Sequence, residues 1–441
     1  MLLYNVRIAL KSLRRSPILT ALIVGGIMLG ITVSTMFSTI RHSFAKDPIP
    51  SKSGNLYYVR LDSWDPARPY VPEDPSKLPT QIPYRDAVEL MKSSIPVRQG
   101  GMFKSLQWIG AGAKNARPDK VQVRMCTADF FTMFDVPFRY GSGWDKKTDE
   151  GPEPVVVLSS EENDKLFGGD NSVGKTVHVG DRDFKVVGVT DHWAPSIKFY
   201  DLTQQWIQPP EPVYMPLNFM RPMQIRTAGN SDGWRSPPGP GFDGFLASDI
   251  CWIQYWAELP SEAKQREYQD WLAAYVLEQK KTGRFGRPLN NKVTPLREWM
   301  VEQGVVPEEA RAMSVVSILF LAVCALNLMG LLLGKFLARS AEVGVRRALG
   351  ARRVDIFLQH IIECELVGLL GGALGIVLSI GGLAVVNGWM KTLMTRGDFF
   401  RVDLPMTLLA VGLSLLAGLI AGVYPAWRIC RIAPAVHLKV Q

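Results

Sequence analysis

RSAEVGVRRALGARRVDI, residues 339–356, sets the architecture of this chain of 441 residues. It is a basic, glycine-punctuated run between two apolar stretches, each long enough to cross a bilayer. So many charges cannot sit in hydrocarbon, so the run lies in water or among headgroups on one side of a membrane. Its arginines choose the cytoplasmic side. A short cytoplasmic loop with helical periodicity, next to a large domain on the far side, suggests a membrane protein driven from within by a soluble partner.

Working outward, the 47% hydrophobic content is not evenly spread. Residues 47–311 read as ordinary globular sequence, while both ends are strongly apolar. Four segments, 17–40, 312–334, 361–390 and 404–427, each offer roughly 20 or more largely apolar positions, enough for a hydrocarbon core about 30 Å thick. The expected organisation is a cytoplasmic amphipathic entry helix (1–16), a first span (17–40) and a large α+β extracytoplasmic domain (41–311). A second span (312–334), a cytoplasmic coupling loop (335–360), a third span (361–390), a short external loop (391–403), a fourth span (404–427) and a cytoplasmic tail (428–441) follow. The first span has a basic lead-in, and Ser43-Phe44-Ala45 imitates a cleavage site. Its apolar stretch exceeds a signal core, which makes it an uncleaved signal anchor.

The net charge of +9 follows topology. Arg7, Lys11, Arg14 and Arg15 precede the first span. Lys335, Arg339, Arg346, Arg347, Arg352 and Arg353 lie between the second and third, and Arg428, Arg431 and Lys439 follow the fourth. With both termini and the central loop inside, the positive-inside rule holds. The outer loop mixes Lys391, Arg396 and Arg401 with Asp398 and Asp403. A nucleic-acid partner is a poor competitor for this charge.

In the external domain, NLYYVRLD (55–62) reads as a strand and 84–93 as a helix after a Pro-rich passage. Residues 121–144 read as a strand, an aromatic helix and a Gly turn, with Phe130, Phe131 and Phe134 as core. PVVVLSSEENDKLFGG (154–169) gives a buried strand and a helix capped by Ser159 or Ser160. KTVHVGDRDFKVVGV (175–189) is a hairpin turning at Gly180-Asp181. Residues 193–249, rich in Pro, Gly and Trp, read as a long irregular insertion, either a binding loop or variable surface. ICWIQYWAEL (250–259) is a strand, and 261–279 an amphipathic helix with Tyr268, Trp271, Leu272, Tyr275 and Val276 inward.

Chemistry is sparse. Gly169-Asp170-Asn171-Ser172-Val173-Gly174-Lys175-Thr176 fits G-x-x-x-x-G-K-[ST], but a helix precedes it and a hairpin follows, the reverse of a phosphate-binding loop. The match is coincidental, and the chain is not expected to hydrolyse ATP. The five histidines are scattered, there is no CxxC, and Asp243 and Asp249 read as solvated loop acids. Of the cysteines only Cys126 and Cys251 are external, and a disulfide between them stays open. Catalytic, cofactor and metal sites are therefore expected to be absent. Glu363 and Glu365, at the inner end of the third span, read as structural ion-pair partners of the loop arginines. Small residues at four-residue spacing (Gly26 and Gly30; Gly368 and Gly372; Gly418 and Gly422) read as helix-packing positions, within the subunit or at a dimer seam.

One span, a large external domain, three spans and a basic tail resemble the MacB/FtsX-type permease family of ABC transporters along nearly the whole chain. NVRIALKSLRRSPILTALIVGGIMLGI, CTADFFTMFDVPF, the segment from VVVLSS to KVVGV, RSAEVGVRRALGARRVDI and GVYPAWRICRIAPAVHLK carry the likeness. The resemblance implies a dimer, with the same or a homologous chain, in the bacterial inner membrane, its FtsX-like spans carrying a MacB-like periplasmic domain. It implies cytoplasmic ABC ATPase subunits that bind ATP and Mg, with no cofactor held by this chain. The docking residues carried over are Glu342, Gly344, Arg346, Arg347, Leu349, Gly350 and Arg352. Val343, Val345 and Leu349 would enter an apolar groove while the arginines meet acidic rims. MacB exporters carry an ATPase before the first span, whereas this sequence opens at the entry helix, so a separate ATPase is expected. Two readings of the output stay open. One is efflux, the mechanotransmission of ATP-driven motion to expel or extract a hydrophobic or peptide-like substrate, with a periplasmic adaptor and outer-membrane channel. The other is non-transporting activation of a cell-wall hydrolase or sensor kinase.

Overall fold

The computed structural model describes residues 2–111, 118–151, 153–195, 197–203, 207–394 and 399–431. Arg396, Asp398, Lys439 and the end of the C-terminal signature lie outside them. Contacts divide the chain into two units, Asp47–Val305 and a membrane unit formed by Met1–Lys46 with Val306–Gln441.

The external unit is a mixed sheet. Its strands are β1 (Leu56–Arg60), β2 (Ile82–Pro83), β3 (Arg98–Ala111), β4 (Asp119–Cys126), β5 (Phe138–Gly141) and β6 (Val155–Leu158). They continue with β7 (Thr176–Val179), β8 (Arg182–Thr190), β9 (Val213–Pro216), β10 (Cys251–Glu258) and β11 (Lys292–Pro295). The main order is β11-β1-β10-β3-β4-β9-β6-β8-β5, with β2 on β10 and β7 bridging β3 and β8. β10 is buried at every position, as befits a strand covered on both faces. The α+β expectation holds. Ser159, not Ser160, caps the helix Ser160–Phe167, its side chain accepting from the Glu162 amide. Gly180, at φ +64°, makes the predicted hairpin turn. Phe130, Phe131 and Phe134 are buried, and Tyr268, Leu272 and Val276 are the buried face of the helix Glu262–Lys281.

Two sequence readings need correction, and one strand escapes the sequence pattern. Residues 193–249 are not surface throughout, although most of 221–241 is irregular and exposed. β9, inside that passage, is a mid-sheet strand, parallel to β4 and antiparallel to β6, and Phe199, Tyr200, Asp201 and Leu202 are buried. Its apolar core is four residues long and hidden between Pro- and Gly-rich flanks. Asp249 is not a solvated acid; it is 6% exposed on its side chain and held by Arg85, Arg235 and Arg284. Asp243 does sit at the surface, 3.0 Å from Arg221. β3, the longest strand, went unread because paired glycines and polar residues interrupt its pattern.

The loop that mimics a phosphate-binding motif follows the helix Ser160–Phe167 and leads into β7, the topology that argued against it. Cys126 and Cys251 are both buried free thiols. Burial pushes the Cys251 thiol up to about 12.

The membrane unit begins with the entry helix Leu2–Arg15. Among the described residues it contains four helices long and apolar enough to cross a bilayer: Pro17–Ala45, Glu308–Leu337, a third from Arg353, and Leu404–Cys430. The third runs Arg353–Met394, so it starts eight residues before the apolar stretch at 361. Hydropathy detects only the part that fits lipid, while helical hydrogen bonding continues into water. The glycines sit where helices approach. A Cβ on Gly30 would lie 2.7 Å from Leu321 Cδ1, and one on Gly26 3.1 Å from Leu328 Cδ2. Those of Gly368 and Gly372 would meet Ser414, and those of Gly418 and Gly422 would meet Cys364. Polar side chains add hydrogen bonds across the spans, Thr32 to the Gly375 carbonyl at 3.2 Å and Ser34 to the Ser317 carbonyl at 2.8 Å. In lipid, close approach and such bonds stand in for the hydrophobic effect.

Candidate functional site

The basic loop folds as one amphipathic helix, Ser340–Ala348. It ends at Gly350, whose φ of +100° suits glycine. The Gly350 amide donates to the Arg347 carbonyl, and the Ala351 amide to that of Arg346. This paired C-terminal cap fixes where the helix stops. Gly350 thus terminates the helix. The Arg352 carbonyl then accepts from the Asp355 and Ile356 amides, and the third membrane helix starts at Arg353.

The seven residues carried over from the family divide by what they touch. Arg346 donates to Glu342 at 2.6 Å and to Gln359 at 3.2 Å. Arg347 donates to the Cys430 carbonyl at 3.3 Å, tying the loop helix to the end of the fourth span. These two arginines are engaged inside the membrane unit. Val343 is also spent there, 8% exposed and packed in the core with Leu332, Phe336 and Ile356. The expectation that Val343 enters a partner's groove is corrected: its side chain faces its own spans. The exposed set is smaller. Leu349 is 83% exposed and Val345 49%, Arg352 is exposed, and a Cβ on Gly344 would meet nothing within 4 Å. Val354, 63% exposed, joins them. The sequence reading passed it over, although an apolar residue between Arg353 and Asp355 was its signal.

Behind the loop helix lies a buried polar junction. Glu363 pairs with Lys335 at 2.7 Å and accepts from Ser12 Oγ at 2.6 Å. Arg339 donates to Ser12 Oγ and to the Ser12 carbonyl at 3.1 Å. The partner of Glu363 is therefore the last-turn lysine of the second span and not a loop arginine. The ammonium is held at the depth of the carboxylate, whereas the loop arginines start one turn further out. Glu365 is half-buried, next to Gly418. The junction joins the entry helix, the second span, the loop and the third span.

Among the described residues no group of three or more His, Cys, Asp or Glu could hold a metal ion.

The family description of a MacB-like periplasmic core domain matches residues 20–275, and that of an FtsX-like permease C-terminal region matches 314–434. The chain belongs to the MacB/FtsX-type family of ABC-transporter permeases, multi-pass membrane proteins with a periplasmic domain. Among curated relatives, the macrolide export ATP-binding/permease protein MacB of Syntrophobacter fumaroxidans is 22% identical over 99% of this chain and 64% of its own length. The MacB of Brucella abortus is 37% identical over 31% of this chain and 21% of its own. The chain thus spans less than two thirds of these relatives. The solved periplasmic region of MacB from Actinobacillus actinomycetemcomitans aligns with 60% of this chain and 98% of its own, at 13% identity and a TM-score of 0.36.

Proposed function

We propose that this chain is the permease subunit of an ABC complex whose ATP is hydrolysed by separate cytoplasmic subunits. The loop helix Ser340–Ala348 docks on the ATPase, and nucleotide-driven motion passes through the spans to the periplasmic domain. Both termini are cytoplasmic on this reading, and the complex contains two permeases, the same or homologous. The output is export or extraction of a hydrophobic or peptide-like substrate.

One observation carries the docking assignment: Leu349, beside a basic helix that the positive-inside rule places in water, is 83% exposed. A leucine so placed gains by entering an apolar groove, and Val345 and Val354 supply further apolar surface while Arg352 supplies charge for an acidic rim. The test is co-purification with the ATPase and measurement of permease-stimulated ATP turnover. Leu349→Asp would bury an unpaired carboxylate in the groove at a cost of several kcal/mol. Stimulation should fall to the unstimulated rate while the unfolding of the external domain is unchanged. Full stimulation by the variant would refute the docking assignment.

A further inference from the structure

Between the entry helix, the loop helix and the first turns of the third membrane helix lies a cavity of about 280 Å³. Lys11 and Arg15 line it from the entry helix, Arg339 and Arg346 from the loop side, and Glu342 and Glu363 are its carboxylates. The charges do not cancel. Glu363 is neutralised by Lys335, and both side chains are almost wholly buried. One oxygen of Glu342 is taken by Arg346 at 2.6 Å. The other Glu342 oxygen lies 3.6 Å from Arg15, so the four cations of the lining, Lys11, Arg15, Arg339 and Arg346, outnumber its two carboxylates. Arg339 is meanwhile fixed by neutral partners, the hydroxyl and carbonyl of Ser12, so its orientation is set without spending its charge.

The cavity's position and size narrow the ligand. Its floor residue Glu363 lies two positions inside the apolar stretch of the third span, so the opening is at headgroup level. The fixed Arg339 guanidinium and the more exposed Lys11 and Arg15, in excess over acid at that depth, favour a phosphate ester, which is tetrahedral, anionic and rich in acceptors. The volume is at the small end of ligand pockets, room for one headgroup and not for a drug-sized molecule.

We propose that this cavity binds a phosphate monoester or diester, with Lys11, Arg15 and Arg339 as its charge partners. Occupancy bridges the entry helix to the residue that begins the loop helix, so the bound anion stiffens the element that docks the ATPase. The binding claim itself does not depend on the docking assignment. Two sources supply the chemistry, the headgroup of an anionic phospholipid or a soluble phosphate.

The experiment uses the full chain in nanodiscs of phosphatidylglycerol or phosphatidylcholine. Bound lipid is counted by native mass spectrometry, and a parallel arm titrates inorganic phosphate in detergent. The double variant Lys11→Gln/Arg15→Gln removes two exposed charges and should bind phosphatidylglycerol roughly 30-fold more weakly, from the attraction each basic residue contributes near anionic headgroups. Glu342→Gln removes the competing acid and should bind more tightly, a gain that misfolding cannot produce. Preferential retention of phosphatidylglycerol, lost in the double variant, supports the site with a lipid source. Phosphate binding with the same variant dependence but no lipid preference supports it with a soluble source. Binding of neither anion, or binding indifferent to both variants, overturns it.

Discussion

Arg124 is a guanidinium with no exposed surface, inside the external domain, and its partners come from far along the chain. It donates to Asp201 at 2.6 Å, to Glu211 and to Gln254 at 2.8 Å, while Lys198 and Tyr200 complete the shell of Glu211. Burial alone would raise the Glu211 carboxyl, but Arg124 and Lys198 outweigh it and hold the group at about 2. Such a cluster adds little net stability over an apolar core, yet breaking it leaves uncompensated charge. Glu211→Gln should therefore lower stability by about 3–5 kcal/mol, read from denaturant unfolding of the full chain by tryptophan fluorescence. The pH sign follows from the depressed value. The Glu211 contribution is complete above about 4.5, its ordinary pKa, and is lost as pH falls toward about 2. The variant should lose less stability than wild type across that window, and equal slopes would refute the role. None of this was legible in the sequence. Arg124 sits in VQVRMC, where alternation makes it an outward residue, and Glu211 lies 87 positions away in a Pro-rich passage with no periodicity. Phe130, Phe131 and Phe134 were legible, because three aromatics on one turn have few alternatives to the core.

Among elements, the membrane helices were the easiest to read and the short central strands the hardest. Twenty apolar residues in a row have one physical explanation, whereas VYMP at 213–216 becomes a strand only because β4 and β6 flank it. The basic loop was legible as a helix, but not which of its side chains remain exposed. Val343 and Val345 differ by two positions, and only the packing of the spans tells them apart. The same packing makes the glycines unequal. A Cβ at Gly422 would lie 2.6 Å from Cys364 Sγ, while one at Gly330 meets nothing within 4 Å. Gly422→Val should cost about 1–3 kcal/mol by overpacking and lower the melting temperature in detergent. Gly330→Val should leave it near wild type. A reversed order would mean that the third and fourth spans do not meet as described.

At the scale of the molecule, the chain divides at Lys46/Asp47 and Val305/Val306. The sequence split, at 41 and 311, differs because the helices Pro17–Ala45 and Glu308–Leu337 continue past their apolar cores. Composition could locate lipid-compatible segments. It could not show that Val213–Pro216 closes the middle of a sheet, since that depends on partners distant in sequence. The central claim is that ATP hydrolysed by a partner moves the periplasmic domain through the loop helix. Amide hydrogen exchange of residues 47–305, in the membrane-reconstituted complex with its ATPase, tests this most directly. ATP should change the exchange pattern of that domain in wild type and leave it unchanged in Leu349→Asp; a wild-type pattern indifferent to ATP would contradict the account.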